Sequence, residues 1–151
     1  MTNIIVMSSV VDELYRKQSD MVTIEQQKPV LELHLEHELW IKELLFWKEE
    51  IAVMEKYLAQ VNAWLNTQES KAGVEHFQNQ FIRQREVIDE LKHEIRVNEE
   101  SLSARLSNLT GPEADTKRLV DHDITREKVL ITRKIYQDLK EEYRNWLVRI
   151  L

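Results

Sequence analysis

Only four strong helix breakers interrupt this 151-residue chain: Pro29, Gly73, Gly111 and Pro112. An ordinary chain carries about 7% Gly and about 5% Pro. Glycine supplies the left-handed backbone of tight turns, and proline removes a backbone donor and locks φ. A chain nearly without them has few places to reverse. The segments between these positions consist of helix-forming residues, so the spacing predicts three long helices over about 24–66, 70–109 and 112–151. Residues 1–22 read as an N-terminal arm before a bundle spanning 23–151, with a capping box from Ser9 to Asp12 opening a short helix to about Lys17. A second box, Thr23 to Gln26, precedes the first long helix, and Pro29 falls at or near its first turn. Asn66 to Ser70 carries the capping chemistry of the first reversal. Gly73 either ends the first helix or sits in the first turn of the second. Gly111 and Pro112 form a stop and a restart.

Hydrophobic spacing supports the same three rods. In the first, Leu33, His37, Trp40, Leu44, Trp47, Ile51, Met54, Leu58, Val61 and Leu65 alternate at four and three residues, a heptad seam. The second repeats it through Val74, Phe77, Phe81, Gln84, Ile88, Leu91, Ile95, Asn98 and Leu102, fading towards Leu106 and Leu109. In the third, Val120, Ile124, Ile131, Ile135, Leu139, Trp146 and Ile150 read as the main row, with Val129, Tyr136, Tyr143 and Leu147 beside it. Short reversals force neighbouring helices antiparallel, so the expected fold is an all-α, up-down-up antiparallel bundle of three long helices.

Composition removes several chemistries. There is no Cys, hence no disulfide, thiolate nucleophile or Cys-based zinc site. A formal charge of −6 argues against nucleic-acid binding, which needs a clustered basic face. No uncharged apolar run is long enough to span a membrane, and the N-terminus lacks the basic region of a secretory leader. Two glycines cannot build a phosphate loop. Carboxylate pairs such as Glu49 and Glu50 are adjacent in sequence, so on a helix they diverge and cannot act as a dyad. No catalytic residue and no cofactor are indicated, and the composition suits a cytoplasmic protein.

Polar residues on the seams admit two readings. Counting layers from the reversals brings His37, Asn98, His122, Asp123 and Arg126 near one level. Such a layer fixes register and orientation in a bundle. The alternative is a metal- or ligand-binding sensor of four-helix type. However, only one Glu-x-x-His spacing exists, Glu90 to His93, and its histidine should face solvent, where a di-iron bundle needs two facing inward with further glutamates. Near the first reversal, Trp64, Phe77, Phe81, Tyr143 and Trp146 are expected to converge as a core plug.

The first helix also carries a second apolar stripe. With His37 and Leu44 at heptad position a, Leu39, Phe46 and Val53 fall at c, and Tyr57 and Trp64 at g. Position c faces away from an a/d core. Either the third helix or the arm, through residues such as Ile4, Val10 and Leu14, covers this stripe, or it is a partner-binding surface formed by Leu39, Phe46, Val53, Tyr57 and Trp64. The function read from these features is a non-enzymatic interaction or scaffold module that binds a protein partner or self-associates. A cytoplasmic secretion or assembly chaperone offering a helical groove is a further alternative.

Overall fold

The computed structural model describes the backbone of residues 24–106 and 112–151, and the side chains of residues 30–104 and 117–151. The expected N-terminal arm, its boundary at residue 22, and the turn around Gly111 lie outside the described residues. Three helices are described: α1 (Ile24–Trp64), α2 (Gln68–Leu106) and α3 (Pro112–Ile150). They run 41, 39 and 39 residues, so each is about 60 Å long at 1.5 Å per residue. Pro112 opens α3, where its missing N–H costs nothing. Pro29 lies in the second turn of α1 rather than the first. The chain divides into two compact units within α1: residues up to Glu36, and His37–Leu151. The second unit contains the three-helix bundle.

The first reversal is made by local hydrogen bonds. Ser70 N–H donates to Thr67 Oγ1 at 3.0 Å, and Thr67 N–H donates to Ser70 Oγ at 3.1 Å. This is a reciprocal capping box in which a serine occupies the place usually taken by glutamate. Ser70 is buried, which suits its short side chain, and its hydroxyl also donates to Thr67 O at 2.9 Å. Leu65 to Thr67 are all the linker the turn needs.

Gly73 lies inside α2, and the reason for it is not the turn. A Cβ there would overlap the indole of Trp146. Trp146 is buried, with its ring centroid 5.1 Å from that of Phe77 and 6.2 Å from that of Tyr143. Glycine lets α3 bring its largest side chain against the backbone of α2.

Polar partners fix the register of the bundle. Between α1 and α2, Lys48 pairs with Asp89 at 2.8 Å, and Arg85 bonds both carboxylate oxygens of Glu55 at 3.0 and 2.8 Å. Between α2 and α3, Lys128 meets Glu94 at 2.8 Å and His76 meets Glu142 at 3.0 Å. In both sets one residue number rises as the other falls, so these neighbours are antiparallel. Between α1 and α3, Arg133 bonds Glu43 at 2.6 and 2.7 Å, and Lys140 bonds Glu50 at 3.2 Å. Both members advance by seven, so α1 and α3 run parallel. The result is the up-down-up bundle.

The seams of α1 and α2 are buried as their spacing predicts, with Leu33, Met54, Leu65 and Asn98 only partly covered. The seam of α3 differs from expectation. Its buried row is His122, Thr125, Val129, Thr132, Tyr136, Leu139, Tyr143 and Trp146. Val120, Ile124, Ile131 and Ile135 are exposed. The inward row keeps an unbroken three-four alternation, whereas the isoleucine row does not. Thr125 Oγ1, on this row, accepts from Asn98 Nδ2 and donates to Glu94 Oε1, both at 2.9 Å. The phenols of the row reach the backbone of α1, Tyr143 donating to Met54 O at 2.9 Å.

Replacing Gly73 with Ala tests the close approach. Helix propensity alone would favour Ala by about 0.8–1.0 kcal/mol. Because the indole is hemmed in by Phe77 and Tyr143, Gly73→Ala is expected to destabilise instead, by about 1–2 kcal/mol. Urea unfolding followed by circular dichroism reads the sign, and pairing it with Trp146→Phe should recover part of the loss.

Candidate interaction faces and a buried histidine pair

The five stripe residues of α1 all lie on its surface. Leu39 is 57% exposed, Phe46 56%, Val53 54%, Tyr57 55% and Trp64 70%. At about 100° per residue the stripe sits roughly 120° around α1 from the centre of its seam. Apolar residues on two separate faces nearly cancel, which leaves α1 much less one-sided than α2 or α3. Neither flanking helix covers the stripe. Glu43 and Glu50 line its inner edge and are held by Arg133 and Lys140 of α3. Its outer edge carries Lys42, Glu49 and Lys56, all exposed. Trp64 takes no part in the aromatic plug, because α1 ends there and the ring lies outward. The plug consists of Phe77, Phe81, Tyr143 and Trp146, with ring centroids 5.1–6.2 Å apart.

A second apolar face, on α3, emerges from the corrected seam. Val120, Ile124, Ile131 and Ile135 lie at spacings of four, seven and four on the side of α3 turned towards α2. Ile131 forms one wall of a shallow groove between these helices, with Val87, Leu91 and Thr132 as its floor and Glu90, Glu94 and Lys128 on its rim. Reading by hydrophobicity alone missed this face, because its residues looked more like core than the threonines that displace them. The signal that could have found it was the regular alternation of the other row.

The polar layer is built from all three helices. His37 Nδ1 lies 2.5 Å from Glu99 Oε2, and His37 Nε2 lies 3.1 Å from Nδ1 of His122. Both histidines are buried. In a neutral imidazole only one nitrogen carries a proton. With Nδ1–H of His37 donated to the Glu99 carboxylate, its Nε2 accepts the Nδ1–H of His122. Trp40 stacks on His122, with centroids 5.0 Å apart and planes at 27°. Of the residues expected at this level, His37, His122 and, one turn on, Asn98 meet inside the bundle. Asp123 and Arg126 pair with each other at 2.9 Å on the surface. Both ring nitrogens of His37 are engaged, so it could bind a metal only by giving up one of these bonds. No group of three or more His, Cys, Asp or Glu able to hold a metal ion occurs among the described residues.

Two buried phenols have ionisation equilibria shifted upward. Burial pushes Tyr143 up to about 12. Tyr136 is pushed up further, first by burial and then by the Glu50 carboxylate to which it donates at 3.1 Å.

These features define an all-α bundle with a closed core and two apolar helix faces left open. Among the described residues, no helix is long and apolar enough to cross a membrane. Comparison with protein families, with characterised proteins and with solved structures finds no match.

Two measurements check this geometry. His37→Leu alone removes the partner that bridges His122 Nδ1 and Glu99 Oε2, and should cost about 1–3 kcal/mol. The double variant His37→Leu/His122→Leu should lose less than the sum of the single losses, read by a double-mutant cycle in urea. The tyrosines set an alkaline limit. Unfolded phenols ionise near pH 10, while the folded chain holds Tyr143 protonated to about 12 and Tyr136 higher. Above pH 10 the folded state therefore binds more protons than the unfolded one. Stability should be full below about pH 10 and decline as pH rises through 12. Thermal melts across that range should show the decline, and Tyr136→Phe and Tyr143→Phe should flatten it.

Proposed function

We propose that this protein is a non-enzymatic helical-bundle module that works by binding other proteins, with its exposed helix faces as the working surfaces. The observation that carries this reading is the stripe of Leu39, Phe46, Val53, Tyr57 and Trp64, left open although the core beneath it is closed. Large apolar side chains in contiguous rows on a small bundle mark interaction sites far more often than scattered single exposures do. Their helical spacing suits another helix laid alongside, as in helix-in-groove recognition. The row on α3 supports the same reading independently. Two faces on different helices suit a scaffold, which must hold more than one contact at once. The Cys-free, mildly acidic composition suits the cytoplasm as the place of action.

The sensor alternative has less support, because the histidine layer spends its hydrogen-bonding capacity within the bundle. A chaperone with a helical groove differs from the favoured reading only in what it binds.

The test uses charge on each face in turn. Phe46→Glu/Val53→Glu and Ile124→Glu/Ile131→Glu replace exposed residues, so both variants should keep wild-type helicity and melting temperature. A complex, with a cytoplasmic protein or between copies of the chain, should form with the wild type and be lost with one face variant. A wild-type chain that stays strictly monomeric by light scattering and retains no protein from extract would overturn the reading.

A further inference from the structure

We infer that the stripe on α1 pairs with the same stripe of a second copy of the chain, antiparallel and centred on Phe46. This rests on the reading that the α1 face is an interaction surface, and it names the occupant. The argument is a symmetry in the residues. A two-fold antiparallel pair brings residue i of one helix opposite residue 92 − i of the other when the axis passes through residue 46. The three central apolar residues obey this: Phe46 meets Phe46, and Leu39 meets Val53. An isologous interface needs such self-complementarity.

The charges obey the opposite rule, which is the one they must obey. Along the outer edge of the stripe, Lys42, Glu49 and Lys56 alternate in sign. Reversing the direction of the helix exchanges sign about the centre. In the antiparallel pair Lys42 therefore lies, within one residue of direct opposition, against Glu49 of the second copy, a contact occurring twice. In a parallel pair the outer edge of one copy would instead face the inner edge of the other, and the pairing of Lys42 with Glu49 would be lost. Lys42, Glu49 and Lys56 make no ion pair within the described chain and stand exposed. The inner edge raises no objection. Glu43 and Glu50 would come near one another across the axis, but Arg133 and Lys140 neutralise both within each chain. Edge charges of this kind decide partner choice and direction more than raw affinity.

Charge reversal tests the pairing without touching the core. The wild-type chain should dimerise in sedimentation equilibrium. Lys42→Glu and Glu49→Lys should each raise the dissociation constant about tenfold, since each turns two attractive pairs into two repulsive ones. The double reversal Lys42→Glu/Glu49→Lys should restore it to within about threefold of wild type. Direction is read separately by disulfides, because the chain has no Cys of its own. Under mild oxidation Lys42→Cys and Glu49→Cys should cross-link when mixed and only poorly alone. Strong self-linking of Leu39→Cys, which faces its own copy only in a parallel pair, would overturn the proposal. A strictly monomeric wild type would also overturn it, but would leave the interaction reading standing if the α1 face still binds another protein. A dimer unmoved by both reversals and by Phe46→Glu would place the contact elsewhere and overturn the proposal in the same way.

Discussion

Burial of three heptad seams against one another is the interaction on which the rest of this bundle depends. Each helix presents a row spaced by alternating threes and fours, and only that spacing keeps a row facing its neighbours over ten turns. On α3 the row runs from His122 to Trp146. Once it is inside, the remaining residues of α3 are outside whatever their chemistry. The isoleucines at 124, 131 and 135 are exposed for this reason. Their own burial would be worth about 1.5–3 kcal/mol each, but only if the helix turned and broke the registry of every other layer.

The polar residues that enter the core do so on terms the seam imposes. Thr125 occupies a fully buried position because Asn98 and Glu94 of α2 supply its partners. His37 and His122 bond each other and reach Glu99, so the layer ties all three helices together. Left without partners, such groups would cost more than the bonds they make are worth. A shifted register would strand them, so they penalise wrong alignments more than they add stability. The ion pairs alongside act in the same sense. The offset from Glu43 to Arg133 equals that from Glu50 to Lys140, and a slip of one heptad between α1 and α3 would put Glu43 against Lys140 and leave Arg133 and Glu50 without these partners.

Much of this was legible in the residues. Breaker depletion gave the three long helices seen among the described residues, and the capping residues placed the first reversal within two residues, α1 ending at Trp64 and α2 starting at Gln68. Gly73 was read as a marker of the first reversal, ending α1 or lying in the first turn of α2, but its cause is Trp146, which lies 73 positions away in sequence. No local pattern encodes such an approach. The α3 seam was misread for a different reason. His122 and Thr125 look like surface residues until their partners on other helices are known, whereas Ile124 and Ile131 look like core by composition. Spacing proved the better guide than hydrophobicity. The α1 stripe was visible because it sits at one heptad position, although its exposure could be fixed only once α3 had been placed.

The arrangement separates the two open faces. The stripe of α1 adjoins α3 through Glu43 and Glu50, while the row on α3 turns the other way, towards α2 and the groove beside Ile131. An occupant on one face therefore does not block the other. A second copy on α1 would present two α3 faces related by the same two-fold axis, and a ligand with two matching sites would gain effective concentration from that pairing alone. Neither face contributes to the seams that hold the bundle together, so residues on them can change without unfolding the chain. Binding and folding are in this way assigned to different rows of the same helices.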